Sequence, residues 1–144
     1  MEDRTPAGAA FNDLVGQVVE LNRRLTAAAE TLTRPAGQTL ARWLVLAECR
    51  DEPATVADIA RRLKLARQSV QRVADLLVDD GLCAYRDNPR HRRAKLLALT
   101  ARGRATLGRI EAAQRDWADE VGGRVGEREL RAAQKSLAAV LEQV

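Results

Sequence analysis

Between Thr55 and Gly81 the sequence holds two short amphipathic segments with only Lys64, Leu65 and Ala66 between them. The first, Val56 to Leu63, follows Thr55, a residue type whose hydroxyl caps free backbone N–H groups. Asp58 stands three positions on, nearly a capping-box arrangement. The second runs from Arg67 to Asp79, sets Val70, Val73, Ala74 and Leu77 on one face, and stops at Gly81. A short helix, a tight turn and a second helix make a helix-turn-helix.

In such a unit the second helix enters the major groove of duplex DNA, and the residues near its start face base edges. Here those are Arg67, Gln68, Ser69, Gln71 and Arg72. Arg pairs bidentately with guanine, Gln with adenine, and Ser contacts a base or a phosphate. The plain alternative is a solvated helix face, and the segment that follows weighs against it. Leu82 to Arg86 reads as a strand, Asp87, Asn88 and Pro89 as a turn, and Ala94 to Leu99 as the returning strand of a hairpin. Arg90, Arg92, Arg93 and Lys95 crowd its tip. Long cationic side chains on a projecting hairpin suit a wing that reaches phosphates or a minor groove.

The flanks read as helices. Ala and Leu dominate, and aromatic residues make up only 3%, a composition that favours helix over sheet. From Phe11 the residues Leu14, Val18, Leu21, Leu25 and Leu32 recur on one face, with Thr5 or Asn12 as an early cap and Met1 to Ala9 frayed. Pro35 and Gly37 end that pattern. A second helix spans Thr39 to Arg50 with Leu40, Trp43, Leu44 and Ala47 inward. Beyond the hairpin, Thr100 caps a long helix reaching about Val121, striped by Leu107, Ile110, Ala113, Trp117 and Val121. Gly122 and Gly123 are predicted to break it. A final helix from Glu127 carries Leu130, Ala133, Leu137, Val140, Leu141 and Val144.

Charge follows the same division. The formal net charge is +4, yet Arg61 to Arg104 holds twelve basic and four acidic residues, a local charge of +8. The rest, twelve basic and sixteen acidic, carries −4. A basic middle between acidic flanks fits a phosphate-binding surface held by scaffolding arms. No apolar run reaches the roughly 20 residues that span a bilayer. No signal peptide is visible, so a soluble cytoplasmic protein is expected.

Other chemistries find little support. Cys49 and Cys83 form no CxxC pair, and packing is their expected role. With His91 as the only histidine, no metal-ligand set stands out. Trp43 and Trp117 read as core or interface residues ahead of pocket lining. No nucleophile–base pair, phosphate-cradling glycine loop or paired carboxylates are visible, so neither an enzyme nor a cofactor is expected.

The stretch Thr55-Val-Ala-Asp-Ile-Ala-Arg-Arg-Leu, then Arg67-Gln-Ser-Val-Gln-Arg-Val-Ala-Asp-Leu-Leu and Asp79-Asp-Gly-Leu, resembles the MarR family of winged helix-turn-helix regulators. The wing from Asn88 to Lys95 and the following Leu99-Thr-x-x-Gly103 are the most specific part of the resemblance. It implies homodimers joined by the first and last two helices. It also implies near-palindromic operators and, in many members, release by a small ligand bound between the arms and the DNA-binding part; some members sense oxidants through cysteine. The chain departs from the family pattern at three places. His91 stands where the wing often has Asp, Lys64 where the turn often has Gly, and Ala66 where Ser or Thr often begins the second helix.

The reading is therefore one domain over residues 1–144, mainly α with a small two-stranded β-wing. Residues 10–34 and 100–144 are its dimerisation helices and 39–99 its winged helix-turn-helix. The expected function is sequence-specific binding of double-stranded DNA by a homodimeric, ligand-responsive repressor. Two alternatives stay open. One is a nonspecific or architectural DNA-binding protein without effector control. The other is a helical interaction module whose basic face is incidental.

Overall fold

Thr5 opens the first helix: its Oγ1 accepts the Gly8 N–H at 3.1 Å, and Pro6 at the first helical position has no N–H to leave unpaired. The computed structural model describes residues 4–144, and this helix, α1, runs Pro6–Thr33. Residues 6–9 are thus helical and not frayed, while Met1, Glu2 and Asp3 lie outside the described residues. A 3-10 turn, Arg34–Ala36, and Gly37 at φ +71° lead to α2, Leu40–Glu48, capped by Thr39.

Two details of α2 correct the sequence reading. The helix stops at Glu48 and not at Arg50, and its inner face is turned. Val45, Leu46 and Cys49 are buried, while Trp43 and Ala47 are partly buried and Leu44 is exposed. The cause is crowding. This short helix touches α1 and three elements that follow it in the chain. Its apolar set is therefore wider than one stripe, and periodicity alone does not locate its centre.

Strand β1 is Ala54–Thr55, and α3, Val56–Leu63, starts at the expected cap, with Thr55 Oγ1 accepting the Asp58 N–H at 3.1 Å. Asp58 does not complete the capping box and pairs with Arg61 at 3.1 Å. Lys64 ends the helix in the left-handed region at φ +54°, and Leu65 N–H closes the turn on Ala60 O at 3.0 Å. Then α4, Arg67–Asp79, buries Val70, Ala74 and Leu77; no side chain caps it at Ala66.

The hairpin forms from β2, Cys83–Arg86, and β3, Leu96–Leu99, paired antiparallel with Cys83 opposite Leu99. The sheet has three strands, not two, in the order β1-β3-β2, with Ala54 opposite Leu97 and Thr55 opposite Leu96. A two-residue strand has no period to read. Because β3 is central, Leu97, Ala98 and Leu99 are all buried, which is why the sequence there lacks strict alternation.

Thr100 caps α5, which runs Ala101–Val125 straight through Gly122 and Gly123. A helix interior tolerates Gly at a cost of about 1 kcal/mol each, so composition there does not force a break. The break comes at Gly126, whose φ of +97° and ψ of 140° suit a residue without Cβ. The last helix, α6, is Glu127–Leu141.

The core gathers side chains from α2, α3, α4 and the sheet, with Leu107 from the start of α5 closing it. By contrast, α1 buries only Ala29 and Thr33, and α6 buries nothing. Phe11, Val15, Val18, Val19, Leu21 and Leu25 of α1 are exposed, as are Val121 and Val125 of α5 and Leu141 of α6. Two layers of hydrophobicity therefore coexist: one folds the central unit, and the other faces outward along the arms.

Candidate nucleic-acid interface

The site begins with the turn that aims α4. Burying Val70, Ala74 and Leu77 against the core forces the opposite face of α4 outward. Arg67, Gln68, Ser69, Gln71 and Arg72 all lie exposed on it. Arg67, Gln68, Ser69 and Arg72 have no side-chain hydrogen bond or ion pair among the described residues. The same is true of Arg90, Arg92 and Arg93 in the wing.

The wing tip is shaped by local bonds. Asn88 Oδ1 accepts the Arg90 N–H at 3.0 Å, and Asn88 O accepts the His91 N–H at 3.2 Å. These turns send Arg90, Arg92 and Arg93 into solvent. Lys95 lies across the hairpin from Asp87, 3.7 Å away. Both partners are well exposed, so this ion pair contributes little to stability and leaves the lysine accessible.

The fold brings the two basic groups together at one place. A cleft of about 290 Å³ between α4, the start of α3 and the wing is lined by Arg67, Gln71, Tyr85, Arg93 and Lys95. Three of those residues carry positive charge, and Val56 and Ala57 add the amino end of α3. Gln68, Ser69 and Arg72 lie on the open face of α4, beside Asp75 and Leu76. Arg90 and Arg92 line neither surface.

Two residues of the site escaped the sequence reading. Tyr85 OH donates to Asp75 Oδ1 at 2.6 Å, and Gln71 Nε2 donates to both Asp75 Oδ1 at 3.0 Å and Tyr85 OH at 2.9 Å. Gln71 is therefore not a free reader like Gln68. The only signal in the sequence is the four-residue step from Gln71 to Asp75 on one helix face.

A set of bonds fixes α4 relative to α5. Thr100 Oγ1 donates to Gly81 O at 2.7 Å and accepts the Gly103 N–H at 3.0 Å. Arg102 Nη1 donates to Asp80 O at 3.0 Å, and Arg42 pairs with the Asp80 carboxylate at 2.5 Å. Farther along, Arg104 donates to Arg50 O at 3.1 Å, and Arg50 pairs with Glu111. Cys49 and Cys83 sit in the core, where burial pushes their thiols up to about 11 and about 12. Among the described residues no group of three metal-ligating side chains forms, and no helix is long and apolar enough to cross a membrane.

A helix-turn-helix whose second helix is exposed, followed by a basic hairpin and framed by long helices, defines a winged helix-turn-helix protein. The chain belongs to the MarR family, whose family model matches residues 36–94. Over 97 residues it is 45% identical to an uncharacterized protein of Mycobacterium tuberculosis, covering 67% of this chain and 68% of that one. It is similar to the crystal structure of a MarR family transcription regulator, with a TM-score of 0.84 and 28% identity over 94% of this chain and 93% of the other. It is also similar to the transcriptional repressor CouR bound to a 23-mer DNA duplex, with a TM-score of 0.78 and 25% identity over 97% and 99% of the two chains.

Proposed function

We propose that this chain is a sequence-specific transcriptional regulator, a homodimeric repressor that acts on near-palindromic DNA and is released by a small-molecule effector. The observation that carries the reading is the shared orientation of two basic groups. Arg67 on α4 and Arg93 and Lys95 on the wing border one cleft, beside an α4 face that offers Gln68, Ser69 and Arg72. One surface thus offers base-reading side chains and phosphate-binding ones together. The similarity to a repressor held on duplex DNA supports the same docking.

Dimerisation follows from the arms. Exposed apolar side chains along α1 and at the ends of α5 and α6 leave a surface that water disfavours and that a second copy covers. In the proposed assembly residues 10–34 and 100–144 join the copies, and 39–99 bind DNA. Two recognition helices then sit about 34 Å apart, one turn of the duplex. An effector that binds one arm geometry better than another shifts that spacing and so releases the operator.

The test is binding of the purified protein to the DNA upstream of its own gene and to a scrambled duplex across a salt series. Saturation at two chains per site, preference for the native duplex and a steep salt slope support the proposal. Equal affinity for every duplex drawn from a random pool would leave a nonspecific DNA-binding protein. Absence of binding to any duplex at moderate salt would reject the reading.

A further inference from the structure

Asp75 is the only acid among the side chains that line the open face of α4 with Gln68, Ser69 and Arg72. On a surface that meets phosphates, a carboxylate opposes binding. No ion pair among the described residues offsets its charge; its bonds run to two neutral groups. Tyr85 OH donates to Asp75 Oδ1 at 2.6 Å, and Gln71 Nε2 donates to the same oxygen at 3.0 Å. A charged acceptor makes such bonds roughly twice as strong as a neutral one does. Gln71 stands four residues before Asp75, so it braces the carboxylate from the same helix. Tyr85 belongs to β2, so its bond crosses from the recognition helix to the hairpin.

The crossing lies at the root of the wing. The ladder between β2 and β3 ends at Arg86 opposite Leu96, one residue beyond Tyr85. From Asp87 to Lys95 the bonds stay within the wing: Arg90 and His91 to Asn88, Ala94 N–H to His91 O at 3.2 Å, and Lys95 to Asp87. Among the described residues, only Tyr85 joins the hairpin to α4 by side-chain hydrogen bonds. Gln71 and Tyr85 also line the cleft that Arg67 shares with Arg93 and Lys95. The tie therefore sits where the spacing between recognition helix and wing is set. The Tyr85 hydroxyl keeps its proton for this bond, because burial, and then the Asp75 carboxylate, hold it above the usual phenol range.

Resting on the DNA-binding reading above, we infer that Asp75 and Tyr85 are positioning residues that clamp the wing to the recognition helix, so that Arg93 and Lys95 meet the backbone of the same duplex that α4 reads. A wing hinged only at its ladder end samples many positions and loses that freedom on binding, at a cost in affinity. A wing already tied to α4 has lost it beforehand. The negative charge of Asp75 stays on a DNA-facing surface because the bond it strengthens outweighs the repulsion it brings.

The experiment measures the affinity of the full-length wild type, Tyr85→Phe and Asp75→Ala for a duplex of mixed sequence and for the tightest duplex selected from a random pool. Tyr85→Phe changes no charge and should weaken both complexes by about tenfold, with a melting curve close to wild type. Asp75→Ala removes a negative charge. Electrostatics alone would tighten its binding, whereas loss of the clamp weakens it, and weakening is expected. In an Arg93→Ala/Lys95→Ala background, Tyr85→Phe should lose most of its effect, because no wing contact is left to position. If Tyr85→Phe fails to fold, Asp75→Ala, at an exposed helix position, carries the test in both backgrounds. Unchanged affinity on removing the tie, tighter binding by Asp75→Ala, or a full loss retained in the Arg93→Ala/Lys95→Ala background each overturns the inference. A wild type that binds neither duplex overturns the DNA reading beneath it, and the inference falls with it.

Discussion

A Cβ added to Gly103 would lie 1.8 Å from the carbonyl oxygen of Leu82. That contact explains the Leu99-Thr-x-x-Gly103 pattern in physical terms. Thr100 caps α5 and bonds Gly81 O, which draws the first turn of α5 onto the backbone that follows α4. Only a residue without a side chain fits where the two backbones meet.

Replacing Gly103 with Ala should therefore destabilise the fold strongly. The obstacle is backbone, which cannot swing aside as a side chain does, so the expected loss is about 3 kcal/mol or more. A urea unfolding series measures it. A variant with the wild-type midpoint would contradict the packing described.

Lys64 offers the opposite case. Its φ of +54° holds a side chain in the left-handed region, at a cost of about 1–2 kcal/mol. Lys64→Gly relieves that cost but adds freedom to the unfolded chain. A net gain of about 0.5 kcal/mol is expected, seen as a small rise in Tm. A fall in Tm would mean that the lysine side chain makes a stabilising contact of its own.

The buried thiols make stability fall in alkali. Burial raises Cys49 from 9.0 to about 11, with Glu48 adding to the shift, and raises Cys83 from 9.0 to about 12, with Cys49 adding. Between those limits the unfolded chain holds fewer protons than the folded one, so unfolding becomes easier as pH rises. Below about pH 8 this contribution is flat. Urea midpoints taken from about pH 8 to about pH 11 should decline for the wild type and decline less for Cys83→Ala. Thiol reagents at neutral pH should label the native protein slowly and the unfolded chain at once.

The wing arginines should contribute to affinity through phosphates rather than base edges. Arg92→Ala and Arg93→Ala are each expected to weaken binding to specific and random duplexes alike. Each should lower the slope of log K against log salt by about 0.9 if it serves one phosphate. Loss confined to one operator sequence would place that arginine in base readout instead.

Much of this architecture is legible in the sequence. The caps at Thr55 and Thr100, the bounds of α3 and α4, the hairpin and the exposed basic residues follow from local chemistry. Capping, turn preference and helical period act over a few residues, which is the range a linear reading covers. The failures have a common form. Gly122 and Gly123 look like a break but sit inside α5, because an unfavourable residue is not a forbidden one. β1 is two residues long and exists only because β3 lies beside it. The inner face of α2 depends on which helices surround it.

By itself the sequence determined the order of the helices and of the hairpin strands, the division of charge between centre and arms, and the side chains that face outward from α4. Each of these depends on neighbours in the chain. Only the tertiary structure decided that Gly103 must clear Leu82, and that Arg67, Arg93 and Lys95 share a cleft. It alone decided that Gln71 on α4 bonds the Tyr85 hydroxyl on β2. Those relationships join residues far apart in the chain, and packing alone sets the distances between them.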